Sequence, residues 1–386
     1  MEEKRNMNIL LRVISSAKLA LILVLLLILL AVAGAILPQE AMFSPADIIR
    51  WQDEHPAITG VFKPLGLFHV FHSIPFLVVI LLLALNTLTC TLLYFVKEGG
   101  FSSLKGPGSA KRVGFIVLHL SLLILFAGGF YSTAVRMDGY LVLTEGQRLK
   151  EERGSYTRFA AGPLRRKKHR GFFLHLDNVQ VEYQQGRYPV AITSHIEIHE
   201  KRRKVVETAI KVNHPFTYRG IDFTQDETGF SPRLLIREKA GRRVLVDSFI
   251  ALKTFREGKS REYRDFLPLP FFKKRVIVTL YPAFTREKGQ VKKSGEEPKN
   301  PLLLIEMEEN PGQVVHREYI PMKGSVVLGD YTLTFAGLRR WSSFKVVDDP
   351  GYPIVMLALW LGIGAILLRY IPDLRPWFSR SIPRDS

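Results

Sequence analysis

Four blocks of this chain are too apolar to end in water. The first, Leu19 to Leu37 (LALILVLLLILLAVAGAIL), carries no charge. As a helix it is long enough to cross roughly 30 Å of hydrocarbon. The second runs over residues 74–96 and contains Asn86 and Cys90. The third, 113–135, contains His119. The fourth, 352–370, holds Gly362 and Gly364, small residues that let another helix approach closely. Charges pool between the third block and the fourth. This pattern predicts an integral membrane α+β protein, with four transmembrane helices and a large antiparallel β-rich extracytoplasmic domain between helices 3 and 4. Ala33-Gly34-Ala35 has the look of a signal-peptidase site, but a cleaved signal has a shorter apolar core of roughly 7–15 residues, so the first helix is expected to stay.

Short-loop charge sets the orientation. Lys4, Arg5, Arg12 and Lys18 precede the first helix; Lys97, Lys105, Lys111 and Arg112 lie between the second and third; Arg369, Arg375, Arg380 and Arg384 follow the fourth. All three regions are read as cytoplasmic, with both termini inside. The organisation read is a membrane domain at 1–135 with a membrane-surface loop at 39–73, an extracytoplasmic domain at 136–350, and a closing segment at 351–386 that holds the fourth helix and a cytoplasmic tail. In the loop, Ser44-Pro45 reads as a helix start, followed by Ile48, Ile49 and Trp51.

The net charge of +18 invites a nucleic-acid reading. The cations sit on a membrane anchor, however, and no nucleic-acid motif is visible, so anionic lipid or an anionic ligand is the expected partner. The single cysteine, Cys90, excludes dithiol chemistry by this chain alone, a CxxCH haem attachment site and a cysteine-rich zinc site.

Period-2 patterns fill the long hydrophilic segment. Ile192, Ser194, Ile196 and Ile198 alternate with Thr193, His195, Glu197 and His199; Phe172, Leu174 and Leu176 alternate similarly. Leu234-Leu235-Ile236 and Val244-Leu245-Val246 flank Lys239-Ala240-Gly241-Arg242, a hairpin signal. Leu302 to Glu308 and Val314 to Ile320 flank Asn310-Pro311-Gly312, and Tyr331 to Phe335 follows Gly329-Asp330. An antiparallel sandwich or barrel is expected. The charged stretch Arg286 to Pro301 is read as a mobile loop.

Six segments in order resemble ResB-type proteins of system II cytochrome c biogenesis: SSAKLALILVLLLILLAVAGAILPQ, FHSIPFLVVILLLALNTLTCTLLYF, GFIVLHLSLLILFAGG, DGYLVLTEGQ, KVNHPFTYRGIDFTQ and FKVVDDPGYPIVMLALWLGIGAILL. The resemblance implies a bacterial cytoplasmic-membrane subunit that delivers haem for covalent attachment to apocytochrome c outside the membrane. It implies a ResC-type membrane partner carrying a Trp-rich haem-handling segment, which this chain lacks. Haem would be bound transiently and shared with that partner. No catalytic residue in this chain is implied, so it would not act as an enzyme alone.

His119 is the sharpest candidate. It stands six residues into the third block, roughly 9 Å below its cytoplasmic end. Its side chain reads either as a haem axial ligand or as a neutral imidazole bonded to a neighbouring helix. The resemblance implies the first, with the second ligand from the partner. Lys111 and Arg112 either meet haem propionates or anchor the helix end. His69 and His72 are spaced to share one helix face and read either as interfacial side chains with a wet polar end or as a second haem or metal contact, for which His72 is the better because it lies inside a resembling segment. His195, Glu197 and His199 read as a solvated strand face or a metal site. Arg165-Arg166-Lys167-Lys168-His169-Arg170 reads as a solvated loop that touches lipid or partner. The Asn213-His214-Pro215-Phe216 segment, with Tyr218, Arg219, Gly220 and Gln225, reads as a turn that shapes the sheet or docks the cytochrome. Two other functions stand beside haem delivery: a scaffold that assembles the partner complex without touching haem, and an accessory subunit of a receptor or transporter.

Overall fold

The computed structural model describes residues 11–39, 45–105, 108–166, 169–185, 188–239, 243–257, 260–267, 269, 271, 274–310 and 312–380. Lys4, Arg5, Ser44, Lys167, Lys168, Ala240, Gly241, Arg242, Pro311 and Arg384, invoked above, lie outside them. The chain divides into two compact units, Met1–Thr133 with Pro350–Ser386, and Ala134–Asp349.

In the first unit, four helices are long and apolar enough to cross a membrane. They are α1 (Ala17–Ile36), α4 (Ile74–Lys97), α5 (Ser109–Val135) and the Tyr352–Tyr370 part of α6 (Tyr352–Arg380). Helix α5 starts four residues before the apolar block, because Ser109, Ala110, Lys111 and Arg112 join the helix although hydropathy excludes them. Two of the starts are capped as expected. The Ser16 hydroxyl accepts from the Lys18 amide at 3.2 Å, and the Ser73 hydroxyl accepts from the Phe76 amide at 3.4 Å. Buried Asn86 of α4 donates to the carbonyls of Ile14 and Ser16, the latter at 3.1 Å. It thereby satisfies the Ile14 carbonyl, left without a helical donor where the chain breaks before α1, and shares the Ser16 carbonyl with the Ala20 amide.

Between α1 and α4 lie α2 (Pro45–Glu54), α3 (Pro56–Phe62) and a 3-10 turn, Leu67–His72. Leu37, Leu67 and Val70 form its small core, with Trp51 and Phe62 against it. Gln39 ties the segment together. Its side-chain amide donates to the carbonyls of Leu37 and Leu67, and its oxygen accepts from the Val70 amide, each at 3.1 Å. Gly34 allows the turn to lie against α1, since a Cβ there would stand 2.5 Å from Val70 Cγ1.

The second unit is antiparallel β throughout. Its strands are β1 (Met137–Thr144), β2 (Arg148–Lys150), β3 (Arg158–Ala161), β4 (Phe173–Gln184), β5 (Tyr188–Glu200), β6 (Arg203–Lys211), β7 (Phe216–Tyr218), β8 (Ile221–Glu238) and β9 (Val244–Phe249). They continue with β10 (Lys253–Glu257), β11 (Ser260–Leu267), β12 (Arg275–Tyr281), β13 (Ala283–Glu287), β14 (Gln290–Gly295), β15 (Leu302–Asn310), β16 (Gln313–Pro321), β17 (Ser325–Leu328) and β18 (Tyr331–Asp348). Strands β8 and β18, 18 residues each, pair along nearly their whole length and form a shared spine.

One end of this spine belongs to the path β3-β1-β18-β8-β7 and shares a core with the sheet β2-β4-β5-β6, where Leu141, Leu174, Ile196, Phe223 and Phe344 are fully buried. The other end shares a second core with the sheet β10-β11-β12-β15-β16, through Phe230, Leu234, Val278, Ile305 and Phe335. Each such side chain contributes roughly 1.5–3 kcal/mol by leaving water. The antiparallel sheets expected as a sandwich or barrel are therefore built as two lobes on one ribbon.

A satisfied polar layer separates the cores. Ser194 bonds to Gln225 at 2.6 Å and to Ser342 at 2.7 Å, and Thr144 bonds to Ser231 at 2.8 Å. The expected loop at 286–301 is instead largely a hairpin. Strands β13 and β14 pair around Lys288 and Gly289, both at positive φ, the backbone a two-residue hairpin turn needs. Its charged residues hid the period because both faces of the ribbon are polar.

Candidate functional site

His119 lies ten residues after Ser109, about 15 Å along the α5 axis. Its ring is half-buried. Nδ1 stands 2.9 Å from the Phe115 carbonyl oxygen. A carbonyl only accepts, so Nδ1 is assigned the proton and Nε2 keeps its lone pair. No hydrogen bond reaches Nε2 among the described residues. An imidazole fixed through one nitrogen and open at the other is the state a metal ligand requires.

The surroundings are aromatic and cationic. The Phe115 ring lies 4.0 Å from the His119 ring, centroid to centroid, and Tyr94 of α4 lies 4.2 Å from Phe115. The Arg369 guanidinium of α6 sits 5.4 Å from the Phe115 centroid and donates to the Lys111 carbonyl at 3.5 Å. Gly114 makes this crossing possible. A Cβ there would stand 2.9 Å from the Ala365 carbonyl oxygen and from Arg369 Cβ. Half-buried Arg112 is seven residues before His119, so it shares that face of α5 two turns away. Loop charge alone had marked Arg369 as a topology signal. Its place over Phe115 follows from the α5–α6 crossing, which only the small residues Gly114 and Gly362 foreshadow; Gly362 faces Ser121 Oγ.

The backbone between His69 and His72 does not keep a regular helical spacing. His69 interrupts the 3-10 turn with φ −139° and ψ 56°, so the helical spacing argument fails. Its ring folds back over Gly66, and His72 is exposed at the end of the turn.

In the β unit, His199 Nε2 pairs with Glu197 at 2.8 Å, and Lys204 also reaches Glu197, at 3.1 Å. The bonds from His199 and Lys204 hold the Glu197 carboxyl below its usual range. The described residues contain no group of three His, Cys, Asp or Glu able to hold a metal. The Asn213 to Gln225 segment has a structural account. Arg219 and Gly220, at φ 51° and 76°, close the β7–β8 hairpin; Tyr218 and Arg219 both bond to Glu200, at 2.8 and 2.9 Å; and Gln225 enters the polar layer.

The basic run is clamped at both ends. Arg165 makes a buried ion pair with Asp348 at 2.8 Å. Glu151, 1% exposed, accepts from His169 Nδ1 at 2.6 Å, from the Tyr156 hydroxyl at 2.8 Å and from the Arg170 and Gly171 amides at 2.5 and 3.3 Å. Burial is the largest single influence on the Glu151 carboxyl and raises it. The bonds from His169, Tyr156 and Arg170 together outweigh burial and hold it below the usual range. Burial and the Glu151 charge push the Tyr156 phenol upward.

Four membrane-length helices with a two-lobed antiparallel β unit inserted before the last define a multi-span protein with a large non-helical domain. The ResB-like family model matches residues 17–97 and 106–384, and the chain belongs to that family. No curated protein matches it. Among solved structures it is similar to one titled "Cytochrome c Heme Lyase CcmF", at 13% identity and a TM-score of 0.27, covering 76% of this chain and 30% of that one. The chain thus spans under a third of that protein's length, and a likeness this distant bears on neither fold nor function.

Proposed function

We propose that this chain is the ResB-type half of a cytochrome c biogenesis complex in the bacterial cytoplasmic membrane. Its β unit faces the outside, its termini face the cytoplasm, and a ResC-type partner and apocytochrome c are its clients. The observation that carries the reading is His119, whose Nε2 lone pair is left open by the Nδ1 bond to Phe115. Haem is the cargo, its iron taking an imidazole from each partner and its vinyl groups accepting the apocytochrome thiols. His119 supplies one axial nitrogen, the Phe115 ring lies against it with Tyr94 packed on Phe115, and Arg112 and Arg369 supply positive charge for the haem carboxylates. The β unit positions the client.

The test is a strain that depends on this gene for c-type cytochromes. His119→Ala is expected to abolish haem-stained cytochrome c while the membrane level of the protein holds. Unchanged maturation would remove the ligand role and leave a scaffold that never touches haem. Intact cytochromes after gene deletion would favour the receptor or transporter reading instead.

A further inference from the structure

The chain enters and leaves the β unit at one end. Met137 of β1 pairs with Asp348 of β18, and Met137 is the second residue after Val135, where α5 stops. Tyr352, where α6 starts, is the fourth residue after Asp348. Apolar spans of the length and hydropathy of α5 and α6 end in the headgroup region of a bilayer.

That end of the ladder continues across the sheet. Val347 pairs with Asp222 of β8, Asp222 with Thr217 of β7, and Ile221 with Tyr218. The β7–β8 turn Arg219-Gly220 therefore lies at the same end, two strand spacings or about 10 Å from Asp348. Glu200 ties a second turn to it. Its carboxylate accepts from the Tyr218 hydroxyl at 2.8 Å and from Arg219 at 2.9 Å. Glu200 ends β5 and pairs with Arg203 of β6, so Lys201 and Arg202 form a two-residue hairpin turn.

The composition of this turn runs against its geometry. Lys201 and Arg202 have φ 44° and 68°, and among the described residues they are the one pair of neighbouring non-glycine residues at positive φ. Asn-Gly suits such a turn with less strain. Cations kept in a strained turn point to a use for their charge. Lys201, Arg202 and Arg203 are exposed, and no ion pair among the described residues engages them. Lys204, by contrast, is held by Glu197 and Glu207, and Arg219 by Glu200. Val205, the extra residue of a bulge in β6, is 47% exposed beside them. The acids at this end are engaged elsewhere. Asp138 and Asp349 face Arg136 at 3.6 and 3.9 Å, Asp348 pairs with Arg165, and Asp222 accepts from Thr217. Three uncompensated cations and an outward valine are the pattern of an interfacial membrane contact.

We infer that the β5–β6 turn is a binding site for anionic phospholipid headgroups, with Lys201, Arg202 and Arg203 meeting lipid phosphate and Val205 resting at the bilayer edge. This rests on the chain spanning a membrane and needs no haem, so lipid contact and cytochrome maturation test the two readings separately.

The test uses the full chain carrying Cys90→Ser and Val205→Cys, labelled with a fluorophore and reconstituted in phosphatidylcholine vesicles. A trace of phosphatidylglycerol or of phosphatidylcholine, spin-labelled near the headgroup, quenches the label at contact. The expected result is stronger quenching by the anionic lipid, about fivefold in local enrichment for each cation that engages the surface. Lys201→Asn, Arg202→Gly and Arg203→Gln together are expected to bring the ratio to one. The first two supply the residues such a turn favours, so the denaturant midpoint is expected to hold or rise, and the lost preference is a loss of charge and not of the hairpin. Removing as many cations at the opposite end of β8, with Arg237→Gln, Lys239→Gln and Arg243→Gln, is expected to leave the ratio unchanged. No quenching by either lipid would put the turn in water and overturn the proposal. Equal quenching in the parent would put the turn at the bilayer without a lipid preference and leave its cations to an acidic protein partner, which also overturns it. So would a preference that survives the substitutions at the turn, or one that falls as far with those at the opposite end.

Discussion

Glu151→Gln keeps the shape of the side chain and removes its charge. The carboxylate accepts four hydrogen bonds and donates none. A carboxamide oxygen can keep Tyr156 and His169, but its NH2 then points at the Arg170 and Gly171 amides. Two part-buried donors lose their acceptor, at about 1–3 kcal/mol each, and the 3.3 Å bond to Gly171 is the weaker of the two. A loss of about 2–4 kcal/mol follows, concentrated around Arg170 and Gly171.

The pH dependence has a definite sign. The folded Glu151 carboxyl lies below its unfolded value, so its contribution is full above the ordinary carboxylate range. That contribution is lost as pH falls through the depressed folded value. The glutamine variant lacks this acid limb. The assay is hydrogen exchange of the Arg170 and Gly171 amides in the full chain in nanodiscs, as a function of pH. Exchange in the variant is expected to rise about 30-fold or more at neutral pH, as 2 kcal/mol of lost protection requires. Protection within threefold of the parent, with the acid limb retained, would refute the reasoning.

Two further substitutions probe packing. Gly229→Ala places a methyl 2.6–2.7 Å from Trp341 ring atoms, and Trp341 is pinned by its indole bond to the Leu252 carbonyl at 3.0 Å. It is expected to cost about 1–3 kcal/mol, read as a lower denaturant midpoint at unchanged slope. An unshifted midpoint contradicts this. Gly34→Val pushes into Val70 and is expected to open the Gln39 clamp, so limited proteolysis between residues 39 and 67 speeds up while cleavage of the β unit does not. Unchanged cleavage of that loop would mean the contact is dispensable.

The four spans were legible because lipid selects for unbroken apolar runs, and a hydropathy reading sees those directly. It sees the hydrocarbon and not the helix, which is why α5 begins at Ser109 rather than Val113. The strand alternation around Ile196 and Leu174 was legible for the same reason: one face of each strand is dry. The two lobes were not, because the buried positions of β8 and β18 switch parity between the cores, from Phe223 to Phe230 and from Phe335 to Phe344, across register shifts at Phe335/Gly337 and Ser342/Phe344 that no single period encodes. The β13–β14 ribbon has two polar faces and so no hydrophobic period to read. His119 was found by its cost in lipid. Phe115 beside it, and Tyr94 and Arg369 against Phe115, were missed, since helix packing decides which residues meet and sequence spacing alone does not. The helical spacing expected of His69 and His72 is broken at a single kinked residue, which no periodicity encodes.

The central claim is that His119 Nε2 is a ligand position in the membrane. The most direct measurement is the visible spectrum of the complex purified with its ResC-type partner, in the parent and in His119→Gly, with and without added imidazole. The account predicts a bis-imidazole haem spectrum in the parent, its loss in the variant, and its return when free imidazole fills the vacated position. An identical spectrum in parent and variant, with no response to imidazole, would contradict it.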